Sequence, residues 1–196
     1  MPKAPVTDAA HSVLTDHSIP RRVLTTGAGS FAELVPFGES EPSARASGLA
    51  YANLSIRSGD RAHQRKAIRL LEQADPKDAP VLTSLGHWEE IQGRLPEAAA
   101  FYEAALRDDP HRIVAAVNLG SIAARLGDLD RAIALWKDAF ERDPATSEAG
   151  LNLAIALRRK GRFDEASAVL RRVLRFDPAY APARELLQAE RPTPTP

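Results

Sequence analysis

The sequence predicts an all-α protein: a right-handed superhelix of stacked helix pairs, or α-solenoid, preceded by an irregular N-terminal arm. Two markers with one 34-residue period carry this prediction. Asp-Pro recurs at Asp75-Pro76, Asp109-Pro110, Asp143-Pro144 and Asp177-Pro178. Glycine recurs at Gly59, Gly93, Gly127 and Gly161. Two independent markers that keep one spacing over four units indicate a repeated structural unit of 34 residues.

Each marker predicts the end of a helix. Glycine favours the left-handed conformation in which many helices end, because it lacks a Cβ. Proline lacks a backbone N–H and moves the preceding residue out of helical geometry, so Asp-Pro ends the second helix of each unit. The apolar residues between the markers follow helical spacing. Small residues that allow the paired helices to approach closely are Gly86, Gly120 and Ala154, opposite Ala98, Ala132 and Ala166.

These units resemble the tetratricopeptide repeat (TPR) family, whose period is 34 residues. In residues 79–112 the matching positions are Leu85, Gly86, Gly93, Ala98, Tyr102, Ala105 and Pro110. Residues 113–146 and 147–180 repeat the pattern, and Val173 takes the place of the usual alanine in the latter. We interpret 1–44 as the irregular arm, 45–78 as a degenerate capping helix pair, 181–190 as a C-terminal capping helix and 191–196 as a disordered tail.

Composition excludes several other classes of protein. The chain has 196 residues, with 26 basic and 26 acidic side chains, so no net positive charge favours nucleic acid. It has no cysteine, which excludes disulfides and thiolate metal sites within the chain. No apolar run is long enough to predict membrane insertion. No serine, histidine and aspartate share a predicted location, and we therefore expect no enzymatic activity.

The resemblance implies a site on the concave face, which the first helix of each TPR lines. The groove positions of the family correspond to Thr83, Ser84, His87, Ile91, Val117, Asn118, Ser121, Arg125, Leu151, Asn152, Ile155 and Arg159. Asn118 and Asn152 are equivalent, and their amides offer a donor and an acceptor to a peptide backbone. Solvent-exposed polar residues without a ligand remain the alternative interpretation. The resemblance implies a protein or peptide partner and no cofactor.

Two further features bear on the partner. Thr83 and Glu148 stand where TPR domains that clamp chaperone C-termini have lysine, so that class of partner is not expected. Net charge rises along the repeats, from −4 in 77–110 through 0 in 111–144 to +3 in 145–178. This gradient favours either self-association between acidic and basic ends or simply solvated helix surfaces.

The whole chain carries a second resemblance, to the C-terminal TPR portion of multihaem c-type cytochromes without their haem motifs, and it is most specific in the N-terminal arm. The stretch from His11 to Arg22, with Thr15-Asp16-His17, is similar to a segment of multihaem c-type cytochromes that have C-terminal TPR domains. In those proteins a haem-binding motif precedes a Met-Pro-Lys like the one that begins here. The resemblance implies an alternative function, as the docking or assembly part of an electron-transfer cytochrome. His11 and His17 would then be candidate axial haem ligands. The location expected is periplasmic for such a fragment and cytoplasmic for a complete chain.

One competing motif lies in the arm. Residues 23–32, with Gly27 and Gly29, fit a strand followed by a dinucleotide-binding glycine motif. That motif requires a following helix and a second strand in a βαβ unit. Pro36 interrupts any such helix, and no later strand is expected, so we reject nucleotide binding.

Overall fold

A computed structural model describes residues 23–25, 31–34, 42–75 and 77–189. These residues form two compact units, one within residues 1–75 and the other within 76–196. The prediction of an all-α fold built of helical repeats is confirmed, with the addition of two short strands.

The strands lie in the arm that we expected to be irregular. Strand β1 (Val23–Thr25) pairs antiparallel with β2 (Phe31–Leu34), with Val23 opposite Leu34 and Thr25 opposite Phe31. The expectation that no later strand would pair with the first is therefore wrong. The five residues between the strands include two glycines, which are typical of turns in sequence. This antiparallel pairing is incompatible with the βαβ unit of a dinucleotide-binding motif.

The first unit also contains the helix pair α1 (Ala44–Ser58) and α2 (Arg61–Leu71). Tyr51 of α1 is buried against α2, and its hydroxyl accepts a hydrogen bond from Lys66 Nζ at 2.9 Å. The buried His63 ring lies 5.7 Å from the Tyr51 ring. Burial of the Tyr51 ring therefore stabilises the contact between α1 and α2, although α2 lacks the alanine that is typical of the second helix of a TPR.

Seven further helices lie among the described residues of the second unit. These are α3 (Ala79–Ile91), α4 (Leu95–Asp108), α5 (Ile113–Arg125), α6 (Leu129–Arg142), α7 (Ser147–Arg159), α8 (Phe163–Phe176) and α9 (Ala181–Gln188). Each predicted repeat between residues 79 and 180 contains one pair of them. Helix α9 packs on α8.

The predicted helix ends have the expected geometry. Gly93, Gly127 and Gly161 follow α3, α5 and α7 with positive φ angles of 78°, 88° and 76°. The aspartates of the last three Asp-Pro pairs have a role that the sequence did not reveal. Asp109, for example, accepts a hydrogen bond through its carboxylate from the backbone N–H of His111 at 3.0 Å. Equivalent bonds join Asp143 to Ala145 and Asp177 to Ala179, and they order the turn into the next repeat.

The core between paired helices depends on glycine facing an aromatic ring. A Cβ at Gly86 would lie 2.8 Å from the Tyr102 ring, and a Cβ at Gly120 would lie 2.6 Å from Trp136 Nε1. Both rings are buried, and Trp136 Nε1 donates to the carbonyl of Val117 at 3.0 Å. These glycines thus admit a large ring from the second helix, whereas the prediction places Ala98 and Ala132 opposite them.

Successive first helices of the repeats contact each other, α3 with α5 and α5 with α7, more closely than α6 approaches α8. A stack of helices packs more tightly on its inner side. The first helices therefore form the inner surface of the second unit, which we call the A face and define by α3, α5 and α7.

Candidate peptide-binding face

The first repeat presents only part of the expected side chains on the A face. Thr83 is buried, and its hydroxyl donates to the carbonyl of Ala79 at 2.7 Å. Ser84 is half-buried and donates in the same way to Pro80 at 3.0 Å. His87 is half-buried, and Ile91 is exposed. Only these last two offer side chains without a competing bond to their own helix.

The second repeat holds its polar residues in place through bonds within the chain. Val117 is only 5% exposed and belongs to the core, so it offers little surface to a ligand. Ser121 donates to the carbonyl of Val117 at 3.1 Å. Asn118 Nδ2 donates to the Tyr102 hydroxyl at 3.1 Å, and Arg125 Nη1 donates to Glu90 Oε1 at 3.2 Å.

These two contacts belong to one hydrogen-bonded chain across α3, α4 and α5. The Tyr102 hydroxyl donates to Glu90 Oε2 at 3.1 Å, which connects Asn118 to Arg125 through the tyrosine and the glutamate. Burial, with the negative charge of Glu90 as the second cause, raises the pKa of the Tyr102 phenol. The phenol is therefore neutral near pH 7, and because its one proton goes to the carboxylate, the Asn118 amide must be the donor to it.

Sequence analysis did not identify Glu90 and Tyr102 as part of this surface. Tyr102 was a repeat signature, and Glu90 stood beside Glu89 with nothing to distinguish it. Glu90 differs from its equivalents only when the repeats are aligned, because Ala124 and Arg158 occupy the same position in the two later repeats.

The third repeat leaves its equivalent residues uncommitted. Among the residues that the structure describes, the Asn152 side chain makes no hydrogen bond and Arg159 makes no ion pair. Asn152 and Leu151 are half-buried, Ile155 is 36% exposed and Arg159 is exposed. Asn152 differs from Asn118 because Trp136 replaces Tyr102, and the indole N–H donates to a backbone carbonyl instead. The donor and acceptor of Asn152 thus remain available at the surface of α7.

Other predicted features lie outside the described residues or find no support within them. His11 and His17 are outside the described ranges, so their role as haem ligands stays a prediction. No group of three or more histidine, aspartate or glutamate side chains suited to a metal occurs among the described residues. None of the helices described is long and apolar enough to cross a membrane.

Comparison with known proteins confirms the repeats. Residues 91–136 match one tetratricopeptide-repeat family model, and residues 117–181 match another. The chain therefore contains tetratricopeptide repeats. No curated protein matches the sequence as a whole.

Solved structures of repeat proteins resemble this fold. MamA AMB-1 is 26% identical, with a TM-score of 0.59 over 74% of this chain and 76% of that one. The first TPR of Spaghetti (RPAP3), bound to the HSP90 peptide SRMEEVD, is 25% identical, with a TM-score of 0.55 over 59% of this chain and 92% of its own. YrrB, a TPR protein with an unusual peptide-binding site, is 18% identical at a TM-score of 0.58 and supports the fold alone. The resemblance to multihaem cytochromes finds no support in these comparisons.

Proposed function

We propose that this tetratricopeptide-repeat chain is a non-catalytic interaction module that binds an extended segment of a partner protein on its A face, mainly through α7. This proposal rests on Asn152, whose side-chain amide makes no hydrogen bond within the described part of the chain and lies beside exposed Ile155 and Arg159. TPR structures similar to this one include proteins with peptide-binding sites.

The three side chains suit a peptide in complementary ways. The Asn152 amide supplies one acceptor and two donors, which match the N–H and C=O of an extended backbone. Ile155 offers an apolar contact one helical turn away. Arg159 lies one further turn along α7 and would form a charge-assisted hydrogen bond with an acidic side chain of the partner. The preferred ligand is therefore an extended segment that carries an apolar and an acidic residue.

The surface of the second repeat contributes less to binding in this proposal. Asn118 and Arg125 would have to leave Tyr102 and Glu90 before they could bond a ligand. The free energy lost by breaking these internal hydrogen bonds is similar to the free energy gained by forming bonds to a ligand, so the net contribution to binding is small. The bonded chain of Asn118, Tyr102, Glu90 and Arg125 instead gives this part of the face a defined shape.

The HSP90 peptide bound by the RPAP3 repeat is not the ligand that we expect here. In this chain Thr83 is buried and bonded to its own helix, and Glu148 is exposed on α7 with a negative charge. A C-terminal carboxylate would find no lysine at either place, and the charge of Glu148 would oppose it. Amidation of the C-terminus of SRMEEVD should therefore not weaken its binding to this chain, which tests the absence of a carboxylate clamp.

The test begins with peptides selected from a display library on the full chain, whose affinities are then measured by calorimetry. Asn152→Ala should weaken binding by about five- to tenfold, the loss expected for one or two hydrogen bonds. Asn53→Ala, at an exposed position of α1, is the matched control and should leave affinity unchanged. Selected peptides that bind N152A as tightly as the native chain would exclude α7 as the principal contact.

A further inference from the structure

A cavity of about 280 Å³ opens between the second helices α6 and α8, away from the A face residues of α7. Its walls are largely apolar and include Ile133, Phe140, Leu153, Leu157, Ala168 and Val169. A cavity near the low end of the size range of ligand sites holds one large side chain rather than a whole cofactor.

The mouth of the cavity lacks a cross-helix ion pair that the preceding repeat forms. There, Arg131 of α6 donates to Glu103 of α4 at 2.6 Å. The equivalent residues here are Glu165 and Lys137, the same pair with its charges exchanged. Glu165 instead bonds Arg162 within its own helix region, with both distances 2.7 Å. Lys137 lies 3.8 Å from Glu141 on α6.

The shape of the cavity has a second cause in the sequence. Val169 occupies the position that Leu135 holds in the preceding repeat, so one methylene is absent from the wall. Leu135 is partly buried against the neighbouring core. The smaller valine and the unformed ion pair together leave apolar wall accessible between α6 and α8.

The rim of the cavity has an unbalanced positive charge. Its two carboxylates, Glu165 and Glu141, are each paired with a rim cation, as described above. The remaining cation is Arg172, whose guanidinium lies 5.0 Å from the centre of the Phe140 ring. No carboxylate within the described ranges pairs with it. An apolar group in the cavity would thus sit beside an arginine that lacks an anionic partner.

We propose that this cavity, which we call the B groove, binds a protein segment that inserts one large apolar side chain and places a carboxylate against Arg172. The segment supplies the apolar contact that the walls lack and the negative charge that the rim lacks. The B groove lies on the second-helix side of the stack, so the segment could bind while the A face is also occupied. This site does not depend on the function proposed for the A face.

The test uses a defined peptide and the ¹⁵N-labelled full chain. Acetyl-Ser-Glu-Phe-Glu-Ser-amide is titrated while backbone amide shifts are followed by NMR. Saturable shifts should occur within residues 133–141 and 165–172. The peptide with lysine in place of both glutamates should bind about tenfold more weakly, since a charge-assisted bond is replaced by repulsion. The peptide with alanine in place of phenylalanine should show no saturable shift.

Two variants with matched controls locate the contact. Arg172→Gln should weaken binding of the acidic peptide by about tenfold, whereas Arg171→Gln, at an exposed neighbouring position, should not. Val169→Leu reproduces the side chain of the preceding repeat, so it should fold normally and reduce the affinity by filling the groove. The proposal is overturned by equal binding of the acidic and basic peptides, by unchanged affinity in R172Q, by shifts confined to the A face, or by no saturable shift.

Discussion

Replacement of Gly120 by alanine should destabilise the second repeat although alanine is the better helix former. The new Cβ would lie 2.6 Å from Trp136 Nε1 and 2.9 Å from two other ring atoms. The indole cannot move without disturbing its 3.0 Å bond to the carbonyl of Val117. Overpacking costs about 1–3 kcal/mol, and a weakened buried hydrogen bond adds about 0.5–1.5 kcal/mol. The helix propensity of alanine returns about 1 kcal/mol.

The net loss expected for Gly120→Ala is therefore about 0.5–3.5 kcal/mol in the free energy of unfolding. The repeats themselves supply the compensating change. The pairs at these positions are Gly86 with Tyr102, Gly120 with Trp136, and Ala154 with Leu170. Alanine is thus already found where the facing residue is leucine. In a Trp136→Leu background, Gly120→Ala should become neutral or stabilising.

The assay is urea unfolding followed by circular dichroism for the native chain, both single variants and the double variant. The double-mutant cycle should give a favourable coupling of roughly 0.5–4.5 kcal/mol, the difference between the losses in the two backgrounds. Ala154→Gly is the control without a ring opposite, and it should cost about 2 kcal/mol, about half from helix propensity and about half from loss of a fully buried methyl group. A Gly120→Ala variant that gains about 1 kcal/mol in the native background would refute the steric argument, because the ring would then have moved freely.

Two further predictions concern the bonded chain on the A face. Asn118→Ala should lower the free energy of unfolding by about 1 kcal/mol, because the hydrogen bond to Tyr102 is lost. Asn152→Ala, which breaks no such bond, should change it by less than about 0.5 kcal/mol. Equal losses for the two variants in urea unfolding would contradict the difference in their hydrogen bonding. The raised pKa of Tyr102 means that the folded state holds the phenol proton more tightly than the unfolded state does. This contribution to the free energy of unfolding is complete below the ordinary tyrosine pKa of 10.0 and is lost as the pH rises above it. In thermal unfolding between about pH 9.5 and 11, the Tyr102→Phe variant should therefore lose less stability than the native chain. If the variant and the native chain have the same pH profile, Tyr102 is not the cause of the loss.

Several features of the described fold follow from local chemistry and could be predicted from the sequence. Glycine adopts positive φ without steric cost and proline lacks its N–H in any context, so the repeated Gly93 and Pro110 positions mark helix ends without help from distant residues. The 34-residue period then predicts the pairing of helices. The β1–β2 pair was missed because a short strand depends on its partner more than on its own residues.

The repeat, its helix ends and the equivalence of positions 34 residues apart follow from the amino-acid sequence alone. Which equivalent side chains are bonded within the chain depends on packing and had to be seen in three dimensions. Asn118 and Asn152 are the same residue at the same repeat position, yet one bonds Tyr102 and the other has no partner within the described residues. Glu103–Arg131 forms an ion pair across two helices, whereas Lys137 and Glu165 pair within their own helix regions. Equivalent side chains differ in their partners because each can bond only to the neighbours that packing brings near it. Those neighbours differ from one repeat to the next.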